Sequence, residues 1–348
     1  MMQAVQLFGK NVIKNVEVPQ PQIKDNEILV QVKAAAICGS DVRMIQNGYP
    51  GVNETHPLTL GHEVSGIIAK VGAAVSGYEV GQRVAIAPNM GCGICDQCVS
   101  GNTHLCSNYQ AFGINLPGGF AQYLKIPAKA VRQGNLAPLP EELDFATAAI
   151  VEPLSCVFNG QKIAQVYPGD KVLIIGAGPI GIMHAMLALA QGAQKVMMND
   201  LNESRLQIVH EILPDVITIT NADLKAAIAE NTDQKGVDLC IIAAPAAPAQ
   251  EASFDYMAMN GRLLFFGGLP QNREPVKLNT NLLHYKQLRL YGCTRASIST
   301  YRQTLAFAAS GRLPLSKLIT ARYSIDDFSL AYQNARDGQG LKNVIEFK

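Results

Sequence analysis

The chain has no run of like charge from which a basic or acidic stripe could be built. Its 29 lysines and arginines meet 28 acidic residues, a formal net charge of +1, so a phosphate-tracking surface is not indicated and nucleic acid is not an expected partner. No apolar run approaches the roughly 20 residues that a membrane-crossing helix needs. The opening sequence MMQAVQLFGKNVIK lacks the apolar centre of an export signal. Internal repeats and low-complexity segments are also missing. Together these absences lead to the expectation of a cytoplasmic protein with no membrane partner. Charge is scarce at 16% of residues against 48% apolar, which is ample for a sizeable core. A length of 348 residues suits two domains better than one.

Cysteine is what the chain does have, and it is unevenly spread. Cys92, Cys95, Cys98 and Cys106 follow the spacing C-x2-C-x2-C-x7-C. Four thiolates so spaced can close around one tetrahedral Zn²⁺ and leave no position for water or substrate, which makes a structural staple. The alternative is two disulfides, but cysteines this close seldom bridge without strain, and nothing else suggests an oxidising compartment. Cys156, Cys240 and Cys293 lie in apolar surroundings and read as core thiols.

A second, open zinc site can be assembled from the flanking sequence. AAAICGSD supplies Cys38, TLGHEVSG supplies His62 and Glu63, and AAIVEPLSC supplies Glu152. A thiolate, an imidazole and a carboxylate are acceptable ligands, and a catalytic zinc keeps a fourth position exchangeable. Taken singly, these residues read as a buried thiol, a turn histidine and solvated or capping acids. Their context favours the metal: Cys38 and the His-Glu pair both follow β-like runs, EILVQVKAAAI and HPLTL, at glycine-containing turns.

The pattern changes near residue 155. Before it, short β-rich segments (EILVQVKAAAI, EVSGIIAKVG, QRVAIAP, AQYLKIP) are broken by Gly, Pro and Asn, as in a strand-rich, barrel-like domain. After residue 168, six apolar strands are expected at KVLIIG, KVMMND, DVITI, VDLCIIAA, RLLFFGG and LRLYGC, the first four separated by segments with helical spacing. Such alternation predicts an α/β fold with a parallel, doubly wound sheet. From about residue 295 a helical segment leads into a strand-like KNVIEF, which is expected to return to the first domain. Between the first expected strand and helix of the second half stands Gly176-Ala-Gly178-Pro179-Ile180-Gly181. In that context G-x-G-x-x-G allows a tight turn, close approach of a pyrophosphate and close helix–strand packing. Asp200, at the end of the second strand, can accept hydrogen bonds from both adenosine ribose hydroxyls and would repel a 2′-phosphate, which favours NAD over NADP. Arg205 stands close by as the residue that would admit NADP.

With these residues in hand, the chain resembles the zinc-containing medium-chain dehydrogenase/reductase superfamily along essentially its whole length, and within it the sorbitol (L-iditol) dehydrogenase branch. The resemblance rests on CGSD at 38–41, GHE at 61–63, the four-cysteine lobe, VEPLS at 151–155, GAGPIG at 176–181, Asp200 and GLKNVIEF at 340–347. It implies a GroES-like β-rich catalytic domain over 1–155, carrying a structural zinc lobe at 88–108. A Rossmann NAD-binding domain is expected over 156–294, and a return to the catalytic domain over 295–348. It implies two zinc ions per chain and NAD as cofactors, and a homo-oligomer, dimer or tetramer. Cys38, His62 and Glu63 match the catalytic zinc ligands, and Glu152 matches an acid that binds the metal or its water. Ser40 matches the hydroxyl that relays the substrate proton, while Phe112 and Arg295 match substrate-pocket positions. One position departs from the pattern: where many members have a histidine that finishes the relay, this chain has Arg43, which cannot shuttle protons near neutral pH. Arg43 is expected either to bind a phosphate or to be an exposed helix residue. The implied reaction is oxidation of a secondary alcohol of a polyol to a ketose with hydride transfer to NAD. Polyol-phosphate and threonine-dehydrogenase-like activities keep the same motifs, and a non-enzymatic zinc protein would be expected to have lost ligands.

Overall fold

The structure, a computed structural model, describes residues 1–270 and 275–348. The chain forms two compact units. The first comprises Met1–Ser155, Arg295–Gly311 and Leu315–Lys348, and the second Cys156–Thr294 with Arg312–Pro314.

In the first unit the strand Ile28–Ala36 is buried along most of its length. It pairs antiparallel with Glu63–Val71, Tyr123–Ile126 and Lys342–Glu346. The sheet runs outward through Arg83–Ile86 to Leu136–Pro138 on one side and through Lys342–Glu346 to Ile319–Tyr323 on the other. A separate three-stranded sheet joins Val12–Val18, Met2–Gly9 and Leu58–Thr59. The shared core contains Val30, Val32, Ile68, Val84, Phe112, Phe120 and Phe328. Register places the chemistry: Ala36, two residues before Cys38, is flanked by Glu63 on one strand and Val344 on the other. The end of the chain and the GHE turn therefore meet where the strand hands over to Cys38.

The second unit is a six-stranded parallel sheet. Its spatial order is Ile217–Ile219, Lys195–Asn199, Lys171–Ile175, Val237–Ile242, Met257–Phe265 and Arg289–Gly292. These are the six expected strands, and their order reverses beside Lys171–Ile175, the switch point at which ligands bind in such sheets. The helices Pro179–Ala190, Glu203–Ile212 and Leu224–Asn231 fall on the expected helical segments. Lys171–Ile175, Lys195–Asn199 and Val237–Ile242 are buried along nearly their whole length, which explains why continuous V/I/L/M runs marked them so clearly.

Candidate active site

Cys38 caps the helix Gly39–Asn47, and its backbone N–H donates to Asp41 Oδ2 at 2.9 Å. That bond ties Asp41, which is fully buried, to the first turn and aims Oδ1 at His62 Nδ1, 3.5 Å away. The other ring nitrogen, Nε2, lies 3.3 Å from Ser40 Oγ. A carboxylate behind one histidine nitrogen fixes the ring and leaves the other for a metal. Gly61 makes the preceding turn at φ +93°, and a Cβ there would lie 2.9 Å from Phe120, so only glycine can present His62 in this way. Cys38, His62 and Glu63 each offer a ligand atom, all within 4.8 Å of one another.

Lys342 completes the cluster. Its ammonium donates to Glu63 Oε1 at 2.7 Å and to the Ile37 carbonyl at 2.9 Å. Glu63 Oε2 also lies 2.5 Å from the ammonium but lacks a well-aligned hydrogen bond, and so retains coordination to offer. Burial disfavours the charged forms of His62 and Lys342. The neighbouring Asp41 and Cys38 outweigh it for His62, and Glu63, Cys38 and Asp41 for Lys342, so both are held above their ordinary values. A metal would bind Cys38 as its thiolate, which with the buried Asp41 and Glu63 carboxylates would place three negative charges against one ammonium. A divalent cation brings that sum to zero, and it competes with the proton that His62 otherwise holds. The residues fit Zn²⁺.

Glu152 stands apart from this trio. It is buried in the first turn of the helix Val151–Ala164, outside the group whose ligand atoms converge. Its charge, like that of Glu63, reaches the phenol of Tyr301. Phe112 is 1% exposed and packs in the core of the first unit, so it can back a pocket but presents almost no surface. Arg43 is exposed on the helix Gly39–Asn47.

In the four-cysteine lobe no disulfide forms. Cys92 and Cys98 Sγ are 3.9 Å apart and Cys95 and Cys106 Sγ 3.7 Å. A metal about 2.3 Å from each of four tetrahedral sulfurs requires sulfur–sulfur edges of about 3.8 Å, so the lobe has the dimensions of a closed zinc site. Backbone N–H groups of Ile94 and Cys95 pull the Cys92 thiol down to about 6. Arg295, expected in a substrate pocket, is placed against this lobe. Its guanidinium lies 4.0 Å from the centre of the Tyr109 ring, and Nη1 donates to the His104 carbonyl at 3.1 Å. Tyr109 donates in turn to Asn89, which donates to the Ala296 carbonyl.

In the second unit, a Cβ on Gly181 would sit 1.8 Å from the Gly176 carbonyl oxygen, so helix and strand approach as closely as only glycine permits. A Cβ on Gly178 would meet nothing within 4 Å, which leaves open space where a pyrophosphate would rest. Pro179 opens the helix and Ile180 follows it, both half-buried. Asp200 accepts the Ala177 N–H at 2.7 Å and the Asn202 N–H at 2.8 Å, which fixes its carboxylate beside the glycine turn. Arg205 lies in the first turn of the following helix, half-buried. A cavity of about 440 Å³, lined by Phe265–Leu269, Gln250 and Cys293, opens beside the carboxyl ends of the last two strands. These residues fit a nicotinamide dinucleotide.

Residues 24–140 match the model of the alcohol dehydrogenase GroES-like domain, and residues 179–310 that of the zinc-binding dehydrogenases. L-threonine 3-dehydrogenase of Rhizobium etli (strain CIAT 652) is 34% identical over 95% of this chain and 94% of its own. The chain belongs to the zinc-containing medium-chain dehydrogenases. A zinc-binding dehydrogenase from Sinorhizobium meliloti, solved with NADP, superposes with a TM-score of 0.89 at 30% identity over 100% of this chain and 99% of that one. Galactitol-1-phosphate dehydrogenase from Escherichia coli gives 0.88 at 25% over 99% and 100%.

Sequence reasoning passed over two residues of this zinc dehydrogenase. Asp41 carried a usable signal, an acid three residues after a helix-capping position. Lys342 carried a weaker one, a cation at the head of the apolar run NVIEF.

Proposed function

We propose that this dehydrogenase oxidises the secondary alcohol of a polyol to a ketose and passes the hydride to NAD. The observation that carries this reading is the open Cys38–His62–Glu63 set with Ser40 Oγ 3.3 Å from His62 Nε2, where a hydroxyl-bearing carbon and a proton acceptor can meet. Bound zinc supplies the Lewis acidity that lowers the alcohol's pKa, and the nicotinamide supplies the hydride acceptor. Ser40 takes the hydroxyl proton while its own passes to solvent water. Asp41 holds the His62 ring in one orientation, and Lys342 holds Glu63 in place. Asp200 selects NAD over NADP, its carboxylate opposing a 2′-phosphate. Glu152, where the alcohol-dehydrogenase branch has a second cysteine, points to a hydroxyl-rich substrate. The exposed Arg43 leaves a phosphorylated polyol open. The protein works in the cytoplasm as a homo-oligomer.

L-Threonine is the second reading, supported by the R. etli relative; it too is a secondary alcohol with polar neighbours. NAD⁺ reduction measured against sorbitol, xylitol, their phosphates, L-threonine and simple secondary alcohols separates the readings. Turnover of ethanol-like alcohols with no response to any polyol or polyol phosphate overturns the polyol reading.

A further inference from the structure

The three carbonyls that precede His62, those of Thr59, Leu60 and Gly61, are all taken by one other loop. The N–H groups of Gly118, Phe120 and Gly119 donate to them at 2.8, 3.0 and 2.8 Å respectively. The two segments also meet backbone on backbone. A Cβ on Gly118 would lie 2.3 Å from the Gly61 oxygen and 2.5 Å from that of Leu60. One on Gly113 would lie 2.5 Å from the Gly61 carbonyl, and Gly113 itself stands at φ +69°. The loop is braced from within: the Gly113 N–H donates to the Leu116 carbonyl, and the exposed Asn115 accepts the Ala111 N–H, both at 2.8 Å. At its base Gln110–Ala111 pairs with Asn89–Met90.

The His62 turn needs such a hold. Gly61, at φ +93°, is the residue type with the most conformational freedom to lose. The Asp41 carboxylate reaches only the ring of His62, at 3.5 Å. A ligand group has to be kept within about 0.5 Å of its working position. Hydrogen bonds to the three residues before His62 fix its main chain, which Asp41 cannot do.

We infer that the loop 111–120 is a clamp on the Gly61 turn, with Gly113 and Gly118 as positioning residues whose missing side chains let it close and so aim His62 at the metal of the Cys38–His62–Glu63 centre. The inference rests on reading that centre as an open zinc site. Losing an oriented partner behind a metal site typically costs about 10- to 100-fold in metal affinity or activity.

The test compares wild type with Gly118→Ala, Asn115→Ala and Gly72→Ala, each with zinc and with cobalt(II) in the open site. Gly72 is the control. A Cβ there would lie 2.4 Å from the Asp25 carbonyl oxygen, a comparable clash, just past the end of the strand Glu63–Val71 that is remote from His62. Gly118→Ala is expected to speed dipicolinate extraction from the open site about tenfold or more and to shift the cobalt absorption bands, while the closed lobe keeps its metal. Gly72→Ala should lower the melting temperature yet leave extraction and bands as in wild type. Asn115→Ala loosens the loop without a clash and should also speed extraction, so it carries the test if Gly118→Ala does not fold. A folded Gly118→Ala with wild-type extraction and bands overturns the clamp alone, as does that result for Asn115→Ala where Gly118→Ala is unfolded. Equal acceleration by Gly72→Ala overturns it too. A wild type that takes up no metal at the trio overturns the zinc reading and the clamp with it. Neither readout uses turnover, so the identity of the substrate does not enter.

Discussion

Lys342→Met keeps the length of the side chain and removes its charge. Glu63 is then buried beside the Cys38 thiol and Asp41 without its cation, a loss of about 3–5 kcal/mol for a broken buried pair. Added zinc should recover part of that loss, since the metal supplies the missing positive charge. Urea unfolding of both proteins with and without zinc checks this; an equal zinc increment in the two would show that Lys342 and the metal are not electrostatically linked. His184 makes a different residue-scale prediction. It is fully buried, with Nδ1 3.1 Å from Gln161 Nε2 and its ring edge-on to Phe266, and burial pushes it down to about 3. The folded protein thus keeps His184 neutral between about pH 3 and 6.5, while the unfolded chain takes up a proton across that window. Its contribution is complete above the unfolded value and is lost as pH falls, by at most about 1.4 kcal/mol per pH unit. His184→Gln should flatten the fall in unfolding free energy between pH 7 and 5; parallel curves for the two proteins would refute this assignment.

At the level of elements, Arg295 is tied to the four-cysteine lobe region through the Tyr109 ring and the His104 carbonyl. Arg295→Ala should release zinc from that lobe faster under thiol-specific reagents and change the polyol KM by less than about twofold, because the lost packing and hydrogen bond lie at Tyr109 and His104. A tenfold rise in polyol KM with the lobe's zinc intact would favour the pocket role instead. These contacts mark the limit of what was legible in the sequence. The six parallel strands stood out because each is an apolar run between turn signals, and the cysteine lobe and the glycine turn because their chemistry depends on local spacing. Where Arg295 points, how deeply Phe112 lies, and why Glu152 stays outside the ligand trio depend on contacts between distant segments. The short stretch Arg312–Pro314, which clusters with the second unit although its neighbours belong to the first, left no mark in composition or periodicity for the same reason.

For the molecule as a whole, two metal ions per chain are expected, with separable roles. Dipicolinate should abolish turnover by emptying the open site while the closed lobe keeps its zinc, and Cys98→Ser should mainly lower stability where Cys38→Ser mainly lowers turnover. Metal analysis of fully folded protein checks the count, and one zinc or none would contradict it. NAD⁺ should exceed NADP⁺ in kcat/KM by about tenfold or more, because Asp200 opposes the 2′-phosphate, and Asp200→Ala should narrow the gap. Equal use of the two coenzymes by the wild type would show that Arg205 prevails. Among the described residues no helix is long and apolar enough to cross a membrane.

The closing strand has a consequence for how the protein is made. Translation proceeds from the N-terminus, so Cys38, His62 and Glu63 leave the ribosome long before Lys342, with nearly the whole second unit synthesised in between. That second unit is almost contiguous and can fold as it emerges, whereas the first cannot close its sheet until Lys342–Glu346 pairs with Ile28–Ala36. During that interval the half-built site carries its anions without its ammonium. A zinc ion captured early would act as a placeholder for the late-arriving lysine, so nascent chains made under zinc starvation should be the ones most exposed to proteolysis.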